Sequence, residues 1–272
     1  MLSSRWLVSF ILVFALAPAL FAHEIGIPHE EYDDANVGEQ FLNRALTLLI
    51  VASIIVLVCT VIALTFHERL GPVINWILFL GIAIPVVVAT VYSAGSTIYL
   101  NQLAETRGPV HWHADFEIWV CDKSLDISDP TGLMNRIGTP VLHEHNDNRI
   151  HVEGVPIRKR DASLGRFFHV IGGILTSNTL GVPTQHGHII ANNGERCPDG
   201  QQGIVQVFRW TVQDRQLVQH KLGAFPHYVL APESMVPPGD CLIIEFGPER
   251  QSTNHLCASY RAALNRGEIY GS

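Results

Sequence analysis

Two uninterrupted apolar runs constrain this chain more than any other feature. Ala45 to Phe66 holds 22 residues without a charge, and Val73 to Leu100 holds 28. About 20 apolar residues in helical form cross the hydrocarbon layer of a bilayer. Every backbone amide needs an internal partner there, so each run is expected as a transmembrane helix, over 45–66 and 73–100. Six residues, His67 to Pro72, join them into a tight helical hairpin. Pro85 removes a backbone donor in mid-run and is expected to kink the second helix. That run is long enough to tilt or pass the interface, and Trp76, Tyr92 and Tyr99 fall near the expected interfaces.

Residues 1–22 carry the three parts of a secretory signal: Arg5, the apolar run Trp6 to Ala17, and a small-residue cleavage site at Leu20-Phe21-Ala22. The alternative is retention as an uncleaved helix. Cleavage would put an acidic segment, 23–44, and everything from residue 101 onward outside the membrane, with the short loop inside. Arg69 in that loop agrees with the positive-inside tendency and Arg44 opposes it. Cys59 lies inside the first run, while Cys121, Cys197, Cys241 and Cys257 all follow the second. An even number of cysteines after an export signal reads as two disulfides. Of three pairings, Cys121–Cys197 with Cys241–Cys257 is the expected one; the alternatives are reduced thiols or a thiolate metal site. No Cys-x-x-Cys occurs, which argues against a zinc ribbon. The absence of an Asn-x-Ser/Thr sequon favours a bacterial or archaeal source. The expected location is a cell (inner) membrane with the C-terminal domain on its extracytoplasmic side.

From residue 108 to 270 the pattern changes to short strands with turn punctuation, giving one mainly β (α+β) domain with two or three helices. Val110 to Cys121 alternates, with Trp112, Ala114, Phe116 and Ile118 on one face and His111, His113, Asp115 and Glu117 on the other. A hairpin follows through Asp122-Lys123. Arg149 to Val155 alternates in the same way, Ile150 and Val152 against His151 and Glu153. Asp161 is placed to cap a helix from Ala162 to Ile171. Strands are expected at 187–191, 203–211 and 240–246, and Ser252 is placed to cap a closing helix to Asn265.

Eleven of the 14 histidines lie beyond residue 100. His-x-His in a strand puts two imidazoles on one face, about 6–7 Å apart at Cα, which lets both reach one ion at about 2.0–2.1 Å. His111 and His113 form such a pair. The third ligand is expected from His143, His145 or His151, with His186 and His188 as second choice and Asp115 or Glu117 orienting the ligands. The bland reading is a polar face open to water. Around residues 143–148 it is a turn in which Asn and Asp shape the backbone and histidine bonds to it. Residues 101–272 carry 18 acidic and 15 basic groups with no basic stripe, and Arg158-Lys159-Arg160 reads as one solvated turn, so nucleic acid is not an expected partner.

The order of signal, helical hairpin and exported β domain resembles subunit II of haem–copper oxidases. That family's copper motif, with two cysteines three residues apart, has no counterpart here. His111, His113 and Glu117 resemble the first metal motif of cupins, and His188 with Asn192 the end of the second, although Ser124 stands where that family has glycine. His-x-His on one strand with a third histidine on its neighbour is also similar to alpha-class carbonic anhydrases. A mature chain beginning at His23 would resemble the N-terminal histidine brace of secreted copper proteins, with His29 nearby. The runs HWHADFEIWVC, HEHNDNRIHVEG and LGRFF are similar to membrane-anchored prokaryotic proteins with an exported histidine-rich domain, which implies a layout and no activity.

The leading expectation is a membrane-anchored extracytoplasmic protein that binds copper or zinc for handling, delivery or sensing. One alternative is a metal-dependent enzyme with an open position for water. The other is a metal-free accessory or assembly subunit of a larger membrane complex. The bilayer itself is the expected partner in every case.

Overall fold

A computed structural model describes residues 36–130, 135–230 and 239–271. The signal, His23, His29 and most of the acidic segment therefore lie outside the described residues.

Two long apolar helices come first. Helix α1 spans Asn36–Phe66 and α2 spans Pro72–Leu103, and a single 3-10 turn, His67–Arg69, joins them. Each is long and apolar enough to cross a membrane, and 31 residues at 1.5 Å per residue reach about 46 Å. α2 opens with Pro72 in its first turn, where the missing N–H costs nothing. Ala52 of α1 and Ala89 of α2 are buried, and small residues let helices approach closely. Gly81 lies so near α1 that a Cβ there would stand 3.0 Å from Cys59 Sγ. Phe41 packs against Tyr92 and Tyr99 at the other end, with ring centroids 6.2 and 5.7 Å apart.

The remainder is mainly β. An eight-stranded sheet runs β10-β9-β11-β1-β5-β4-β3, with β2 paired to the end of β1. Its strands are β1 Val110–Val120, β2 Lys123–Leu125, β3 Ile137–Gly138, β4 Leu142–Glu144, β5 Arg149–Gly154, β9 Ile204–Gln213, β10 Gln216–Leu222 and β11 Asp240–Gly247. β1 and β11 pair in parallel, and the other pairs are antiparallel. A smaller sheet has the order β6-β7-β8, from Ile174–Leu175, Thr179–Thr184 and Gly187–Asn192.

One face of the large sheet is mainly apolar, with Arg209 and Asp240 paired on it. Trp112, Ala114, Phe116 and Ile118 from β1 join Ile150, Val152, Leu242 and Ile244 in the main core. Helix α3, Leu164–Val170, presses Leu164, Phe167 and Phe168 onto it, and Leu180 and Val182 of the small sheet close it. Full burial of each such side chain contributes about 1.5–3 kcal/mol. The opposite face is split. At the β9–β11 side Phe208, Cys241 and Ile243 are covered by Tyr260 and Ala263 of helix α4, Ala258–Asn265. The β1–β5–β4 side carries the histidines, and α4 touches β1 there through Ser259 on Asp115 and Arg261 on Glu117.

Disulfides tie Cys121 to Cys197 and Cys241 to Cys257. Cys121 and Asp122 both take left-handed backbone angles, φ 51° and 60°. That is the two-residue turn whose twist matches a β-hairpin, and it sets β2 against β1.

Two helix starts differ from the sequence expectation. α3 begins at Leu164 with Ser163 as its cap, because Ser163 Oγ accepts from Arg166 N at 3.3 Å. Asp161 instead accepts from Arg158 N at 2.8 Å and caps the 3-10 turn before it. α4 begins at Ala258 rather than after Ser252. Thr253 is held from both sides by Gln219, and Cys257 is pinned to Cys241, and residues 253–257 form no helix.

Candidate metal centre

Strand register assembles the site. His113 on β1 stands directly opposite His151 on β5, and His151 directly opposite His143 on β4. Directly paired residues share a face, so three imidazoles form one row across three strands. One step along, His111 faces Glu153. His145 follows the end of β4 and turns back toward the row, its ring 4.7 Å from that of His143 and 4.9 Å from that of His151. Its Nδ1 lies 2.5 Å from the Asn135 carbonyl, so the expected backbone contact of a turn histidine is present as well.

Two donor groups result. His111, His113, His151 and Glu153 bring one ligand atom each to within 4.8 Å of one another, and so do His143, His145 and His151. A tetrahedral ion at 2.0–2.1 Å holds its donors about 3.4 Å apart, a distance that small side-chain rotations reach. Glu153 links the groups. Its Oε1 is 3.0 Å from His111 Nε2 and 3.8 Å from His151 Nδ1, and its Oε2 is 3.9 Å from His143 Nε2.

The loop after β4 is built around Glu144. That buried carboxylate accepts from the backbone N–H groups of Asp147 and Asn148 at 2.6 and 3.1 Å. Asn146 and Asn148 supply left-handed turns at φ 66° and 55°. The loop thereby aims Asp147 Oδ2 at His151 Nε2, 3.1 Å away.

Burial tunes the imidazoles toward their neutral, ligating form. His143 is 2% exposed, and its pKa is pushed down to about 4, first by burial and then by the neighbouring His145, against the opposing pull of Glu153. His113 is lowered too, by burial first and then by His151 and His111. His143 Nδ1 and His151 Nδ1 are buried with no hydrogen-bond partner. A buried polar atom left so costs about 1–3 kcal/mol, and an ion beside it would remove that cost.

Asp115 and Glu117 do not join the cluster. Asp115 accepts from Arg149 Nε at 2.5 Å and from the Ser259 hydroxyl. Glu117 accepts from Arg261 at 2.8 Å and from Trp119 Nε1 at 3.2 Å. Both lie further along β1, where Asp115 meets Arg149 of β5 and Glu117 meets Arg261 of α4. His186 and His188 sit on the β7–β8 hairpin of the other sheet, lining a cavity of about 330 Å³ with Asp126 and Asp129. Among the described residues, neither belongs to a metal-competent group. His255 stacks flat on Trp119, ring centroids 3.6 Å apart. Glu153 and Asp147 are the carboxylates that local pattern reading did not select. For Glu153 the signal was present, since it shares the alternating face of His151.

Comparisons with protein-family models, with curated proteins and with solved structures find no match.

Proposed function

We propose that this chain is a membrane-anchored metal-binding protein that handles copper or zinc at the extracytoplasmic face of a cell membrane, holding, delivering or sensing the ion. The observation that carries the proposal is the gathering of five imidazoles and one carboxylate from β1, β4, β5 and the loop after β4, with a buried, unpartnered nitrogen on His143. Imidazole and carboxylate donors suit borderline divalent ions, and the cluster contains no thiolate or thioether. His111, His113, His143, His145, His151 and Glu153 would be the ligands. Asp115 and Glu117 would act at one remove, by holding Arg149 and Arg261.

Two supports bear on the side of the membrane. Four cysteines of the β domain are paired as disulfides, which persist in oxidising compartments. The acidic segment before α1 would raise the local concentration of cations on the same side. The hairpin would anchor the domain in the bilayer and is the surface through which a larger membrane complex would be met.

The test is elemental analysis of the detergent-purified full chain after dialysis against Zn²⁺ or Cu²⁺. Stoichiometric metal in the wild type, lost in a His143→Ala/His151→Ala double variant that keeps its circular dichroism, is the expected result. A wild type that retains neither metal sinks the reading.

A further inference from the structure

We infer that the histidine face forms two overlapping stations for a single ion, an outer one of His111, His113, His151 and Glu153 and an inner one of His143, His145 and His151, and that the ion passes from the first to the second. The inference rests on the metal-binding reading above and goes beyond it, since it fixes how many ions bind and by what route.

The shared residue carries the argument. His151 belongs to both donor groups, and no other residue does. A neutral imidazole keeps a proton on one nitrogen and offers a single lone pair on the other. When His151 serves the outer group, His143 and His145 are left as a two-donor remnant; when it serves the inner group, His111, His113 and Glu153 remain. The stations therefore exclude one another.

Exposure gives the order. The side chains of His111 and Glu153 are 59% and 43% exposed, that of His151 is 12% and that of His143 is 2%. An ion arriving from water meets the outer group first. Glu153 spans the gap, with one oxygen 3.0 Å from His111 Nε2 and the other 3.9 Å from His143 Nε2. A carboxylate so placed can keep hold of the ion while the imidazoles exchange. The inner group contains the deepest of these residues, His143, with its unpartnered nitrogen, so it holds the more to gain from occupancy.

Co²⁺ serves as the probe, because its visible absorption reports the ligand set. Full-length protein in detergent is titrated and followed by stopped flow. The wild type is expected to take up one Co²⁺ per chain with two successive spectral changes. His145→Gln, which can still donate to the Asn135 carbonyl, should show the first change alone. His111→Ala/His113→Ala should still bind one Co²⁺, without the first change and at least about tenfold more slowly. His151→Ala should weaken both spectra. Two Co²⁺ bound together, or one spectrum common to the wild type and every variant, would overturn the two-station arrangement while leaving the metal-binding reading intact. A wild type that binds no Co²⁺, Zn²⁺ or Cu²⁺ overturns both.

Discussion

His143 and His151 are direct partners across β4 and β5, their rings parallel to within 5° and their centroids 5.5 Å apart. Two imidazoles stacked in this way cannot both carry a proton on each nitrogen without facing like charges across a nearly dry gap. Glu153 and Asp147 supply some of the opposing charge, at 3.9 Å from His143 and 3.1 Å from His151. Burial dominates at His143, so that ring rests neutral at neutral pH, the state in which imidazole binds metal.

A ligand that binds only the folded state stabilises it by mass action, about 2.7 kcal/mol at a hundredfold excess over Kd. For a domain of this size that corresponds to roughly 5–10 °C in Tm. Zn²⁺ added to the metal-free full chain should therefore raise the thermal midpoint by that amount, read by differential scanning fluorimetry. The His111→Ala/His113→Ala/His151→Ala triple variant should show no shift. An equal shift in the variant would place the binding elsewhere.

Glu153 touches His111, His143 and His151 at once. Glu153→Gln keeps the shape and removes the charge and the anionic donor. Affinity for Zn²⁺ in competition with a chromophoric chelator should fall roughly 10–100-fold, the scale typical of lost carboxylate support at a metal site. An unchanged affinity would make Glu153 a bystander on the polar face.

Much of this arrangement was readable from local pattern. Alternation in Val110 to Cys121 set Trp112, Ala114, Phe116 and Ile118 against His111 and His113, and the two faces separate in the fold as that alternation requires. The long uncharged runs gave α1 and α2 by length alone. What local pattern missed depends on distant residues. Leu142-His143-Glu144 is too short to show a period and sits beside a turn, yet β5 pairs with it and makes it a strand. Asp115 and Glu117 looked like companions of the histidines, but Arg149 and Arg261 lie 34 and 144 residues away in the chain and take them. The late start of α4 follows from a disulfide and from Gln219, neither visible in a helical window.

Membrane orientation has a direct test. Glu68 lies in the turn between α1 and α2, and Glu249 is exposed on the β domain. Single cysteines introduced as Glu68→Cys and Glu249→Cys should differ in reactivity toward a membrane-impermeant maleimide. Glu249→Cys should label on intact cells and Glu68→Cys only after lysis. The reverse pattern would put the histidine face in the cytoplasm.

The Cys241–Cys257 disulfide closes a loop of 16 residues and holds the start of α4 on β11. Loop-closure entropy for such a span is worth about 3 kcal/mol. Cys241→Ser/Cys257→Ser should lower unfolding stability by about 2–4 kcal/mol and expose α4 to limited proteolysis. Metal stoichiometry should survive, because the histidines stand on the part of the face that α4 does not cover. Loss of metal together with α4 would show that the two halves of the face are coupled, with Asp115 as the bridge through Ser259 and Arg149.

The depressed pKa of His143 makes stability depend on pH in a defined direction. An unfolded histidine titrates near 6.5 and the folded one near 4. Between those values the unfolded chain binds the extra proton, so stability is fully present above about pH 6.5 and is lost as pH falls toward 4. The loss attributable to this group is on the order of 2–3 kcal/mol, and His113, also lowered, adds in the same sense. Denaturant melts of the metal-free chain at pH 7 and pH 5 measure it. His143→Gln should flatten most of the difference, while Zn²⁺ at saturating concentration should move the onset of the loss to lower pH, because the ion occupies the lone pairs that protons would otherwise take. A metal-free protein equally stable at both values would mean that water reaches His143 freely.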